Sequence, residues 1–137
     1  MLKVSKKWWY ALKAVLYVAE NNNELIKIID LSKNLNISES LLRRIISDLD
    51  KSWILMTIKG RVWWVKLWMN LKDISVYDIL NSVWEELWIA DCTRWIMCDN
   101  SETCITTSLF WNLQKTFNWI LKLNTLDKII DNKKTDF

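Results

Sequence analysis

From Trp9 to Ala19, apolar residues recur three and four apart at Leu12, Val15, Leu16 and Ala19, which predicts a helix packed on one face. Asn21-Asn22-Asn23 ends it. The stretch from Leu25 to Ile37 reads as a short helix followed by a tight turn. Ser38 then supplies an N-cap for a third helix to about Asp50, with Leu41, Leu42, Ile45, Ile46 and Leu49 inward. Helix, short turn, helix is the helix-turn-helix arrangement. After it, Ile54 to Lys59 and Val65 to Trp68 predict two short strands joined at the Gly60 turn, a hairpin wing. Ser75 caps a further helix through about Trp84, with Val76, Ile79, Leu80 and Val83 on one side. Thr106 to Leu123 predicts a long helix with Leu109, Leu113, Phe117, Ile120 and Leu121 along one stripe. Such a stripe must bury against something, either the same helix of a second copy or the parent domain. The tail from Asp131 to Phe137 is polar and is expected to fray.

The fold class is therefore mainly α with a small β-hairpin wing. Residues 1–84 form a winged helix-turn-helix domain, 85–104 a cysteine loop, and 105–137 a dimerisation helix and tail. The outward positions of the third helix are Ser38, Glu39, Ser40, Arg43, Arg44 and Ser47. Short hydroxyls near a helix N-terminus can meet phosphates or base edges, and paired arginines can reach guanine or phosphate. A plain solvated face would carry the same residue types. The wing, with Lys59, Arg61 and Lys66, favours the DNA reading, because a winged helix sets such cations against the phosphate backbone or in the minor groove. The DNA-binding candidates are Ser38, Ser40, Arg43, Arg44, Lys59 and Arg61.

Cys92, Cys98 and Cys104 are the chain's 3 cysteines, at two equal steps, C-x5-C-x5-C. A helix, turning ~100° per residue, would point the thiols in three directions, and a strand would set consecutive ones about 20 Å apart. Neither gathers them around one centre. The intervening residues show no sustained period, and Asp99-Asn100-Ser101-Glu102-Thr103 is turn-forming, which predicts a loop folded around something. Soft thiolates in a loop suit an iron–sulfur cluster or zinc. Zinc sites usually carry C-x2-C knuckles, which are missing here. Three ordinary thiols, or a disulfide and a spare thiol, are the plainer alternatives. A redox enzyme would need a C-x2-C pair, a histidine base or a phosphate-cradling loop, and none is present.

Composition changes the picture at one point. The chain has 11 Trp, 1 Gly, no Pro and no His in 137 residues. Ordinary usage would give roughly ten glycines. An AT-rich genome thins out Gly, Pro and His but does not raise Trp. This pattern predicts that many tryptophans are glycines, encoded by UGA in a code that reads it as Gly. Trp53, where the third helix should end, and Trp63-Trp64, beside the hairpin tip, are glycine-favouring places. A true Trp-rich core or aromatic surface is the alternative. Net charge is +3, which permits nucleic-acid binding without requiring it. No stretch approaches ~20 uncharged apolar residues, so no membrane span is expected. The basic start, Met1 to Lys7, lacks a following cleavage site, which predicts a cytoplasmic protein with reduced thiols.

In this order the parts resemble the winged-helix iron–sulfur regulator family that includes IscR and NsrR, over nearly the whole chain. The carriers are Ser5-Lys6 before Tyr10-Ala11-Leu12, Ile29-Asp30-Leu31-Ser32, Ile37-Ser38, Lys51-Ser52-Trp53-Ile54, Lys59-Gly60-Arg61-Val62-Trp63-Trp64, the three cysteines, and Asn124-Thr125-Leu126. The resemblance implies a transcription regulator rather than an enzyme. It also implies a homodimer, a partly palindromic double-stranded DNA operator, and a 2Fe-2S or 4Fe-4S cluster on Cys92, Cys98 and Cys104. It further implies glycine at the positions of Trp53, Trp63, Trp64 and Trp68. The chain departs from the family at the fourth ligand. Thr107 stands where IscR-like members place a histidine, and no carboxylate occurs near Lys7 and Trp8, where NsrR-like members place an acidic ligand. Asp91, Asp99, Glu102, Thr107 or an exogenous molecule are the candidates.

Overall fold

The computed structural model describes residues 5–21, 24–83, 88–94, 99 and 102–135. Helix α1 (Lys6–Glu20) starts at Ser5, whose hydroxyl accepts from the Trp8 amide at 3.1 Å. Its buried residues are Ala11, Ala14, Val15, Val18 and Ala19, while Leu12 and Leu16 pack at the core margin. The inward face is thus rotated from the one that the large residues predict. Alanines let α1 lie close to its neighbours, a choice made by packing rather than by side-chain size.

Strand β1 (Ile26–Lys27) precedes helix α2 (Ile28–Leu35), where the sequence pattern predicts only a short helix and a tight turn. Two residues are too few for a strand signal; partner strand β3 (Trp64–Leu67) defines it, pairing Ile26 with Val65 and Lys27 with Trp64. Asn36 closes α2 in the left-handed region, φ 55°, a conformation asparagine tolerates. Its amide bonds back to the Ser32 carbonyl, and the Ser32 hydroxyl donates to the Ile37 carbonyl at 2.5 Å. This turn sets α2 against α3 (Glu39–Lys51), whose Leu42, Ile45, Ile46 and Leu49 are buried as predicted. Strand β2 (Leu55–Ile58) pairs antiparallel with β3 from Leu55↔Leu67 to Ile58↔Trp64, giving the sheet order β1-β3-β2.

A 3-10 turn, Leu71–Asp73, leads to α4 (Val76–Ser82). Ser75 and Asp78 form a capping box: the Ser75 hydroxyl accepts from the Asp78 amide at 3.2 Å and the Asp78 carboxylate accepts from the Ser75 amide at 3.0 Å. Trp84, the predicted end of this helix, lies outside the described residues. Helix α5 (Thr107–Leu123) follows the cysteine segment within one residue of its predicted bounds. A sixth helix, α6 (Leu126–Thr135), replaces the expected frayed tail as far as the description runs. Leu126 is fully buried in the same core as α1, and Ile129 and Ile130 pack beside it. A Ser75↔Thr125 bridge, with Val76 donating to Asn124 and Leu126 to Ile74, both at 2.9 Å, fastens the chain there. Residues of the third predicted segment therefore complete the first segment's core.

Candidate DNA-binding face and cysteine segment

The helix-turn-helix is held as one piece by local chemistry and burial together. Ser38 caps α3 through the Leu41 amide at 3.4 Å, and Lys7 pairs with Asp48 at 3.2 Å, tying the start of α1 to the far end of α3. Burial of α3's inward face orients its other side. Ser38, Ser40 and Arg44 are exposed there. Arg43 is half-buried: it reaches back to Glu39 at 2.5 Å and lies over the Trp63 ring, 5.2 Å from its centroid. In the wing, Lys59 and Arg61 are exposed, and the Lys59 ammonium approaches the other candidate cation through the same Trp63 ring, also at 5.2 Å. The six predicted DNA-contacting residues thus divide into α3 and the loop joining β2 to β3, with Trp63 between Arg43 and Lys59. Lys27, which the sequence pattern does not single out, is exposed on the edge strand over the Trp64 ring at 5.2 Å.

Cys92 is half-buried in a 3-10 turn, Asp91–Arg94. That turn is attached to α5 by Gln114, the one buried residue of the helix. Its side-chain carbonyl accepts from the Ile89 amide at 2.9 Å and lies 3.4 Å from the Thr93 hydroxyl, while its amide donates to Asn118 at 3.1 Å. Thr93 is itself buried and donates to the Ala90 carbonyl at 2.6 Å. Cys104 is exposed just ahead of α5, its Sγ 3.0 Å from the Thr106 hydroxyl. Hydrogen bonds from the Thr106 side chain, then from the Thr107 side chain and the Thr106 backbone, lower its pKa to about 7, because they favour the thiolate. Cys98 lies outside the described residues, as does Trp95. Among the described residues, no three cysteine or acidic side chains gather at one point. The candidate fourth ligands Asp91, Asp99 and Glu102 are exposed and Thr107 is half-buried. Gln114 could not be found from periodicity, being a polar residue in an apolar helix; its signal is the Ile89 backbone donor that it satisfies.

Outside the cysteine segment, α5 packs on α4, where Lys122 sits over the Tyr77 ring at 4.6 Å. Leu109, Leu113, Ile120 and Leu123 remain exposed along it. No helix among the described residues is long and apolar enough to cross a membrane.

Comparison with known proteins adds to this geometry. Residues 4–132 match the family model Rrf2, described as an iron-dependent transcriptional regulator. The chain belongs to the Rrf2 family. The transcriptional regulator IscR of Pectobacterium atrosepticum is 27% identical over 134 residues, covering 97% of this chain and 82% of that protein. Among solved structures, IscR of T. potens aligns with a TM-score of 0.73 and 22% identity, covering 96% of this chain and 88% of its own. CymR, the global cysteine regulator of B. subtilis, aligns with a TM-score of 0.75 and 18% identity, covering 96% and 98%. This Rrf2 protein is accordingly a winged-helix transcriptional regulator, and its relatives are regulators rather than enzymes.

Proposed function

We propose that this Rrf2 regulator is a cytoplasmic homodimer that binds a partly palindromic DNA operator and changes its affinity with the state of an iron–sulfur cluster on Cys92, Cys98 and Cys104. The observation that carries the proposal is the attachment of both described cysteine sites to one helix. Gln114 ties the Cys92 turn to α5, and Cys104 immediately precedes that helix. The donor set suits the group: three thiols, one of them already lowered to about 7 and so substantially thiolate at neutral pH. When bound, the cluster supplies an iron centre that oxidants or nitric oxide can attack, the more so where the protein lacks a histidine for the fourth ligand.

The chain's own residues supply the rest. The state of the Cys92 turn is passed to α5 through Gln114, and α5 offers the uncovered stripe Leu109, Leu113 and Ile120 to a second copy. A change in how the two α5 helices meet alters the spacing of the two copies of α3, which is what a two-half-site operator reads. Within each winged helix, residues 1–84, Ser38, Ser40, Arg43 and Arg44 meet the major groove and adjacent phosphates, and Lys59 and Arg61 meet the backbone beside it. Helix α5 serves dimerisation, while α6 closes the core of the winged helix.

Purification without oxygen, with iron and sulfide analysis and visible absorbance, tests the cluster. Operator affinity of the loaded protein against the Cys92→Ala, Cys98→Ala, Cys104→Ala variant tests the switch; equal affinity would refute it while leaving DNA binding intact. Arg44→Ala, Lys59→Ala and Arg61→Ala should each reduce the salt dependence of DNA binding by about one ion. A second reading, a cluster-free regulator using zinc or thiol chemistry, draws on the low pKa of exposed Cys104. Iron and sulfide absent from protein purified without oxygen, with DNA binding retained, would favour it.

A further inference from the structure

Trp53 is held in the left-handed backbone region, φ 62°, just beyond the end of α3. Its amide donates to the Asp50 carbonyl at 3.1 Å, and the Ile54 amide donates to the Leu49 carbonyl at 3.0 Å. These are the two closures of a Schellman motif, whose left-handed position is usually glycine. A residue with a Cβ is disfavoured there, and a bulky aromatic one especially. Asn36, the other described non-glycine residue at positive φ, is of the type that accepts it. Trp53 gains little burial in return: it is 64% exposed and leans on Trp68, itself exposed, ring centroids 5.2 Å apart. Gly60, the single glycine of the chain, has no positive φ, and a Cβ on it would come no closer than 3.9 Å to the nearest atom. Glycine's conformational freedom is thus unused where glycine is written and required where tryptophan is written.

The remaining tryptophans point the same way. Of 11, Trp84 and Trp95 lie outside the described residues, and none of the other nine is in the buried core, which is built of Ile, Leu, Val and Ala. Tryptophan is highly buried on average in folded proteins, so nine described tryptophans with none in the core are anomalous. The Trp8 indole N–H is enclosed without a hydrogen-bond partner among the described residues.

We propose that UGA codons in this chain are translated as glycine in its own cell, and that positions 53, 63, 64 and 68, around the wing, are glycine in the working protein. This assignment has a consequence for the surface that rests on the DNA-binding reading. The Trp63 ring lies under both the Arg43 guanidinium and the Lys59 ammonium. Glycine at 63 removes the ring that occupies these two cations; Lys59 is then available to phosphate, and Arg43 is held only by its surface pair with Glu39, which a phosphate can displace.

The codons, and peptide masses of the protein purified from its own cell, decide the assignment. UGA at codons 53, 63, 64 and 68 with glycine masses is the expected result; UGG codons or tryptophan masses there would overturn it. Recombinant protein made as written and with Trp53→Gly tests the backbone argument: Trp53→Gly should raise Tm, and an equal or lower Tm would count against it. Adding Trp63→Gly, Trp64→Gly and Trp68→Gly should steepen the dependence of log affinity for a DNA duplex on log salt by about two. An unchanged slope with binding retained would refute the release of Arg43 and Lys59. Failure of every version to bind DNA would instead refute the functional reading, with the codons and masses still deciding the glycine assignment.

Discussion

Helices α3 and α5 are both amphipathic, yet they meet opposite fates. Over 13 residues α3 buries Leu42, Ile45, Ile46 and Leu49, whereas over 17 residues α5 buries only Gln114. The apolar side chains of α3 have neighbours on α1, α2, α4 and β2; those of α5 at 109, 113, 120 and 123 remain exposed. An apolar stripe is therefore a statement about a need for contact, not about where the contact is found. In α3 the need is met within the chain. In α5 it is not met among the described residues, and the one buried side chain is used for polar attachment of the cysteine segment instead.

The contrast can be broken most severely in α3. Ile45→Ala should cost about 2–5 kcal/mol, read from denaturant midpoints, because the fully buried site cannot refill the space. Leu113→Ala, measured on the monomer at high dilution, should stay within about 0.5 kcal/mol. Comparable losses at the two sites would erase the distinction. Leu113→Asp with Ile120→Asp should leave the helical circular dichroism intact and halve the mass found by sedimentation equilibrium. A dimer that survives this pair has its interface elsewhere.

A smaller, local effect is expected at the polar attachment. Gln114→Leu removes the acceptor of the Ile89 amide, a loss of about 1 kcal/mol. It should speed hydrogen exchange at Ile89 and alkylation of Cys92 while leaving exchange in α3 unchanged; equal acceleration in α3 would mean that the two regions unfold together. The smallest effect concerns Cys104 in metal-free protein. Alkylation should be half-maximal near pH 7 and should move upward in Thr106→Val. The folded-state pKa is lowered, so the thiolate's contribution to stability is present above the ordinary thiol value and is lost as pH falls through about 7. Since the group is fully exposed, alkylation rather than unfolding is the sensitive measurement.

Legibility in the sequence followed the range of the forces involved. The N-caps Ser38 and Ser75, the inward face of α3, the hairpin and the span of α5 are set by neighbours a few residues away, and each was readable from spacing. The inward face of α1 was not, because Ala11 and Ala14 are selected by how closely other elements approach, a quantity absent from hydropathy. Helix α6 has no clear signature in the sequence because Leu126, Ile129 and Ile130 stand among charged residues, and only the core that they complete reveals their role. The cysteine spacing exposed a candidate site, but Gln114, twenty-two positions from Cys92, joined it only through space.

Sequence alone determined the winged-helix order, the three-thiol motif, the apolar stripe of α5 and the improbable balance of tryptophan and glycine. Tertiary structure decided which face of α1 turns inward, where α6 returns, how the two-residue β1 becomes a strand, and that Trp53 occupies a glycine conformation. The division has a physical cause. Caps and periodicity are settled within one or two turns of chain, whereas burial and the pairing of enclosed polar groups depend on residues that only folding brings together.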